Sequence, residues 1–191
     1  MESSKSGGTK WVDYIPRSGR ALLIPIYKGT WERRPQILLR GPNVYRDLII
    51  AEAKDFRRSL DYLETRTDID HNRLGYYGIS LGARLSSIMT ADEPRIKAIA
   101  VVGAGLSAVK RLPEVDEINF LSHVKAPLLM VNGRDDFHYP LDTVQNPMFK
   151  LLGTPEKDKR HALVDGGHIA DLRSCIRETL DWFDRYLGPV R

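Results

Sequence analysis

Cysteine is nearly absent from this sequence: Cys175 is the only one in 191 residues, so no internal disulfide can form. It falls inside a helical pattern, where a lone cysteine reads as a packing residue. Long apolar runs are missing too. No stretch of eighteen apolar residues occurs, and no basic leader runs into an apolar segment, so neither a membrane span nor an export signal is encoded. The expectation is a soluble cytoplasmic protein with no membrane partner. Charge of one sign is also scarce. Lys and Arg total 29 against 25 Asp and Glu, a formal charge of +4. The basic pairs Arg33-Arg34 and Arg57-Arg58 are scattered among acids and form no stripe with interleaved aromatics, which argues against nucleic acid as a partner. No repeat of fixed period appears, and no internal linker is long enough to divide the chain.

What remains is the composition of one globular domain able to bury a single core. Residues 1–10, small and polar with Gly7-Gly8, read as a flexible leader. Residues 11–191 read as the folded domain. Apolar runs predict strands over 11–15, 21–27, 74–78, 96–103, 126–132 and 161–165. Helical patterns occupy about 45–65, the stretch after residue 80, 141–152 and 175–187. Strands alternating with helices predict an α/β fold: a mostly parallel sheet with helices on both faces. In the closing helix Ile176, Leu180, Trp182, Phe183, Tyr186 and Leu187 form an apolar stripe opposite Arg177, Asp181 and Asp184. That stripe is core, and Gly188-Pro189 ends it.

The most informative stretch is Gly78-Ile79-Ser80-Leu81-Gly82, placed where a short apolar strand turns into a helix. A serine at such a bend adopts a strained backbone that lifts its hydroxyl above the sheet, and flanking glycines let strand and helix pass closely. A serine hydroxyl attacks a carbonyl only if an imidazole takes its proton, and an acid must hold that imidazole in the right tautomer. In this architecture the chain order is Ser, then Asp or Glu, then His, each beyond the carboxyl end of a strand.

Both partners follow in that order. After the run 126–132 comes Gly133-Arg134-Asp135-Asp136-Phe137-His138-Tyr139-Pro140. The Gly-x-x-Asp spacing favours Asp136 as the acid, with Asp135 a turn or cap residue. After the last strand, Asp165-Gly166-Gly167-His168 places His168 on a glycine-rich loop before the final helix. His71 and His123 precede strands and His161 starts one. His138 sits beside the acid, first a loop residue and second a wall of the pocket. For the oxyanion donors, the Leu81 amide follows the nucleophile. The loop Tyr27-Lys28-Gly29-Thr30-Trp31 is assigned the second, with the Thr30 N–H preferred over Lys28. Lys28 and Gly29 are further expected to line the substrate site.

Two other readings start from residues as well. Gly103-Ala104-Gly105-Leu106-Ser107-Ala108 imitates a dinucleotide-binding turn, but Lys110-Arg111-Leu112-Pro113 interrupts the helix that would hold pyrophosphate. Asp135, Asp136 and His138 could be imagined as metal ligands, yet three ligands on one tight loop rarely converge. No metal and no cofactor are expected.

With serine, acid, histidine and a candidate oxyanion loop in order, residues 11 to 190 resemble the α/β-hydrolase superfamily, on its dienelactone-hydrolase and acyl-peptidase side. The stretches 61–66, 151–160 and 178–183 resemble bacterial hydrolase domains that occur fused to serine/threonine kinase domains. The resemblance implies a serine carboxyl-ester hydrolase that needs no cofactor, with Ser80, Asp136 and His168 at the triad positions. Dienelactone hydrolases carry cysteine as nucleophile, which this chain replaces with serine. The chain also starts near what would be the second strand of that fold, so an exposed sheet edge and a homodimer are expected. About twenty residues separate the strands ending at 103 and starting at 126, too few for a large helical lid. The expectation is hydrolysis of small esters with short acyl chains. The alternatives are a non-catalytic ligand- or partner-binding module on the same fold, and a serine peptidase.

Overall fold

Four short strands, all parallel, build the sheet in the order β1 (Leu74–Ile79), β2 (Ile96–Val102), β3 (Leu128–Gly133) and β4 (Lys159–Val164). The computed structural model describes residues 11–34, 41–168 and 170–190. The leader expected over residues 1–10 lies outside them. Because every strand runs the same way, the four segments leaving the strands emerge along one edge of the sheet. Residues 80, 103, 134–140 and 165–168 therefore come together there.

Each central strand splits its side chains between two cores. On β2, Ile99 and Val101 face one side while Ala98, Ala100 and Val102 face the other. On β3, Leu128 and Met130 alternate in the same way with Leu129 and Val131. All nine are fully buried, as both faces of a parallel sheet must be. The first core is closed by α2 (Pro42–Glu64), α3 (Leu81–Arg84), α4 (Ser86–Thr90), α5 (Ile118–Leu121) and α6 (Asn146–Leu151), numbered after the single turn α1 (Tyr14–Arg17). The second is closed by α7 (Leu172–Leu187), whose Cys175, Trp182, Phe183 and Leu187 pack on the sheet. Small residues permit that approach: a Cβ on Gly75 would lie 3.0 Å from Leu187 Cδ1 and 3.2 Å from Phe183 Cε1. Cys175 is fully buried, and burial pushes its thiol up to about 11, as suits a packing residue.

Local signals explain the helix ends. Asp171 caps α7 by accepting from the Ser174 amide at 2.9 Å, so this helix starts before the first apolar residue of its stripe. Pro42 occupies the first turn of α2. Ile49, Phe56 and Leu60 of α2 enter the core, and Glu52 is buried with them. Burial, with Asp55 adding repulsion, pushes the Glu52 carboxyl up to about 7.

Two expected strands are not strands. Residues 11–15 enter a turn and α1, which ends at Ser18 and at Gly19 with φ 91°. Residues 21–27 have no regular secondary structure and stand off the sheet, with Leu23, Ile24 and Ile26 exposed. Pro25 contributes no N–H to a ladder. Between this segment and β1 lies a groove of about 610 Å³, walled by Tyr76, Phe56, Leu60 and Phe183 among others. Among the described residues β1 is thus an edge strand. No described helix is long and apolar enough to cross a membrane.

Candidate active site

Ser80 follows β1 directly, and its amide extends the ladder by donating to the Val102 carbonyl at 2.9 Å. Its backbone then turns to φ 51°, ψ −107°, a region L-residues rarely adopt. The neighbouring glycine makes the turn possible. A Cβ on Gly78 would lie 2.6 Å from the Gly82 carbonyl oxygen. Gly82 has no such conflict, since the nearest atom to its ideal Cβ is the Tyr76 hydroxyl at 3.9 Å. That hydroxyl donates to the Gly82 carbonyl at 2.7 Å and ties the first turn of α3 to β1.

The side chains singled out by chain order meet in one hydrogen-bonded line. Ser80 Oγ lies 2.9 Å from His168 Nε2, and His168 Nδ1 lies 3.0 Å from Asp136 Oδ2. The Asp136 side chain is fully buried while His168 is 22% exposed. The other carboxylate oxygen, Oδ1, accepts from the amides of His138 and Tyr139 at 2.9 and 2.8 Å. Both oxygens of Asp136 are therefore occupied and its orientation is fixed. Asp135 is exposed, and its amide donates to the Gly166 carbonyl at 3.0 Å, a turn role. With Nδ1 held by the carboxylate, Nε2 is the nitrogen left to accept a proton from the serine.

Close backbone packing sets the height of the histidine loop. Gly103 ends β2 with φ 65°, and a Cβ there would lie 2.8 Å from the His168 carbonyl oxygen. A Cβ on Gly133 would collide with the Gly167 carbonyl oxygen. Gly105 admits the ring of Tyr139, 2.7 Å from its ideal Cβ. The pattern Gly103-Ala104-Gly105 thus serves the histidine and tyrosine. Irregular chain, not a helix, follows β2 at residues 104–112, so no helix N-terminus is available there for a pyrophosphate.

Tyr139 is a site residue that the sequence reading does not single out. Buried, it places its ring 5.2 Å from that of His168, and His138 sits 4.7 Å from His168 on another side. Gln145 fixes this loop from beneath, donating to the Tyr139 carbonyl at 2.6 Å. Asn132, equally buried, donates to the Ala104 carbonyl at 2.7 Å and joins the ends of β2 and β3. The only advance signal for these residues is polarity inside an apolar run.

The oxyanion assignments divide. The Leu81 amide occupies the first position of α3, where no intrahelical acceptor exists, beside the Ser80 hydroxyl. The loop 27–31 is a different matter. The Thr30 amide donates to the Tyr27 carbonyl at 3.0 Å, the Gly29 amide to Arg33 at 3.1 Å and the Lys28 amide to Asp55 Oδ2 at 2.8 Å. All three are spent on the loop itself and on α2. Among the described residues no hydrogen bond joins this loop to Ser80, Asp136 or His168. Residues 21–27, which lead into this loop, form no strand beside β1. Gly29 packs instead, its ideal Cβ lying 2.6 Å from Leu48 Cδ1. As for Asp135, Asp136 and His138 as metal ligands, the Asp136 oxygens are occupied by the imidazole and by two backbone amides. No group of three or more such side chains among the described residues could hold a metal ion.

No family model matches the chain. Among curated proteins it is similar to the α/β-hydrolase domain-containing protein WAV2 of Arabidopsis thaliana, at 24% identity over 61% of this chain and 50% of that protein. Among solved structures it is similar to a cold-adapted esterase from an Arctic intertidal metagenomic library, with TM-score 0.59 and 24% identity over 74% of this chain and 60% of the esterase. A Klebsiella pneumoniae protein described as a dienelactone hydrolase gives TM-score 0.62 and 19% identity over 78% and 69% of the two chains. The chain spans half the length of the curated relative and about 60% of the esterase. The parallel sheet, of four strands among the described residues, the strained serine turn and these likenesses agree: the chain has the α/β-hydrolase fold.

Proposed function

We propose that the protein is a serine hydrolase that cleaves carboxyl esters of short acyl chain. The observation that carries this reading is the unbroken line from Ser80 Oγ through His168 to the buried Asp136 carboxylate. In the proposed cycle His168 Nε2 takes the hydroxyl proton as Oγ attacks the ester carbonyl. The resulting oxyanion is met by the Leu81 amide. His168 then returns the proton to the departing alcohol, leaving an acyl-enzyme. Water, deprotonated by the same imidazole, releases the acid and restores the serine.

The short-acyl preference is supported by what lies between β2 and β3. Residues 104–127 contain only a 3₁₀ turn at Pro113–Val115 and the four-residue α5, which offer little apolar surface to cover a fatty chain. A second reading, a ligand-binding module without turnover, is favoured by one observation: the amides of Lys28, Gly29 and Thr30 are already spent, and one oxyanion donor is worth on the order of a hundredfold in rate. Rates on 4-nitrophenyl esters from acetate to palmitate decide between them. The proposal requires turnover that falls with chain length and is lost in Ser80→Ala. A rate that rises to palmitate contradicts the short-acyl preference, and Ser80→Ala hydrolysis at the wild-type rate contradicts the role of the serine.

A further inference from the structure

A cluster of charges lies one helical turn from the serine, and its guanidinium groups are poorly paired. Arg84 is tied to the serine turn, its amide donating to the Ser80 carbonyl at 2.9 Å. Its side chain is 12% exposed. One guanidinium nitrogen donates to the Tyr45 hydroxyl at 3.2 Å. Its one ion pair among the described residues is a long one, 3.9 Å from Nε to Glu117 Oε1, and that Nε is buried without a hydrogen bond. Arg111 lies across the other side of the same tyrosine, its guanidinium carbon 4.1 Å from the Tyr45 ring centroid. It too has a buried Nε without a hydrogen bond. Among the described residues no carboxylate stands within 4.0 Å of its charge.

The acids nearby are committed elsewhere. Glu117, 1% exposed, accepts the Ser107 amide at 2.7 Å through Oε1, while its Oε2 has no partner. Asp116 accepts the backbone amides of Arg111 and Ile118, at 3.4 and 3.3 Å. Arg84 thus has one long contact to a buried carboxylate, and the Arg111 guanidinium has none among the described residues. A partly desolvated cation without a counter-ion is costly, and the excess is relieved if an anion completes the set.

The cluster also adjoins the reacting groups. Tyr139, whose ring flanks His168, has Arg84, Glu117 and Tyr45 in its electrostatic surroundings. Tyr45 likewise has Arg84, Arg111, Glu117 and Glu52 in its electrostatic surroundings. A hydrogen bond and a ring contact join Arg84, Tyr45 and Arg111, and the Arg84 amide ties that group to the serine turn. We propose that Arg84 and Arg111 form an anion-recognition site beside Ser80, so that the ester cleaved there carries a free carboxylate. The inference rests on the serine-hydrolase reading and specifies its substrate class. Planar guanidinium groups suit a carboxylate, which they bind through paired N–H donors.

The test compares charged esters with neutral partners of the same shape. One arm puts the carboxylate on the acyl side, 4-nitrophenyl hemiglutarate against 4-nitrophenyl pentanoate. The other puts it on the alcohol side, 4-carboxyphenyl butyrate against phenyl butyrate. In one of the two arms the wild-type protein should favour the charged ester about tenfold or more in kcat/KM, the scale of a charge-assisted hydrogen bond. Arg111→Met should bring that ratio near one, and Arg111→Lys should keep part of it. No preference in either arm, or a preference that survives Arg111→Met, overturns the proposal. Calorimetric titration with glutarate separates this from a failure of the hydrolase reading. If no ester is cleaved, the hydrolase reading falls, while glutarate binding that Arg111→Met abolishes still upholds the anion site and absence of binding removes it.

Discussion

Gly103 and His168 are in backbone contact: an added methyl group at Gly103 would lie 2.8 Å from the His168 carbonyl oxygen and 3.4 Å from its ring. One missing side chain at the end of β2 thereby sets where the imidazole stands above the sheet. Gly103 also holds φ 65°, so Gly103→Ala meets two penalties, a left-handed backbone and a displaced loop. The variant should lose on the order of 1–3 kcal/mol of stability, measured by urea unfolding. Its ester hydrolysis should drop by more than about tenfold at a temperature where it remains folded, because a displaced base misses the hydroxyl.

The two adjacent aspartates should separate cleanly. Asp136→Asn replaces the oxygen facing His168 Nδ1 with an amide and favours the wrong imidazole tautomer, so kcat should fall by about 10³–10⁴-fold with little change in KM. Asp135→Asn changes an exposed turn residue and should leave kcat within about twofold, by the usual size of surface effects. Steady-state kinetics on a short aryl ester checks both.

A buried carboxyl and a half-buried imidazole should give stability opposite dependences on pH. The Glu52 carboxyl, pushed up to about 7, keeps its proton in the folded state where the unfolded chain has lost it. Its effect is therefore absent below about pH 4.5 and destabilises progressively as pH rises to about 7. Glu52→Gln should raise stability at pH 8, on the order of 2 kcal/mol, and change it little at pH 4. His161 is pushed down to about 4 by burial, so the unfolded chain binds a proton that the folded one refuses. It destabilises as pH falls from about 6.5 toward 4. His161→Phe, beside Phe149 with ring centroids 5.5 Å apart, should therefore gain stability at pH 5 relative to pH 8. Thermal unfolding at the three pH values reads each sign.

Much of this arrangement is legible in the sequence, for identifiable reasons. The four strands of the sheet lie within two residues of their expected bounds because each is a short apolar run closed by a turn. Ser80, Asp136 and His168 are legible because a parallel sheet brings the residues after its strands to one edge, so chain order predicts neighbourhood. Residues 21–27 are not legible. Their apolar pattern is that of a strand, yet pattern cannot say whether a partner edge receives it, and Pro25 removes a donor. In the loop that follows, the Thr30 amide expected as second oxyanion donor bonds the Tyr27 carbonyl. Tyr139, Gln145 and Asn132 escape notice because nothing local distinguishes a polar residue that braces a loop from one that faces solvent. Gly103 and Gly105 carry a visible signal with an ambiguous meaning: close approach is legible, but what approaches is not.

The account depends on His168 making the Ser80 hydroxyl nucleophilic, and fluorophosphonate labelling with peptide mapping measures that activation without knowledge of the natural substrate. The account predicts a single modified residue, Ser80, with no labelling in Ser80→Ala and a rate at least about a hundredfold lower in His168→Ala. Labelling of Ser80 at the wild-type rate in His168→Ala, or no labelling of Ser80 in the folded wild-type protein, would contradict it.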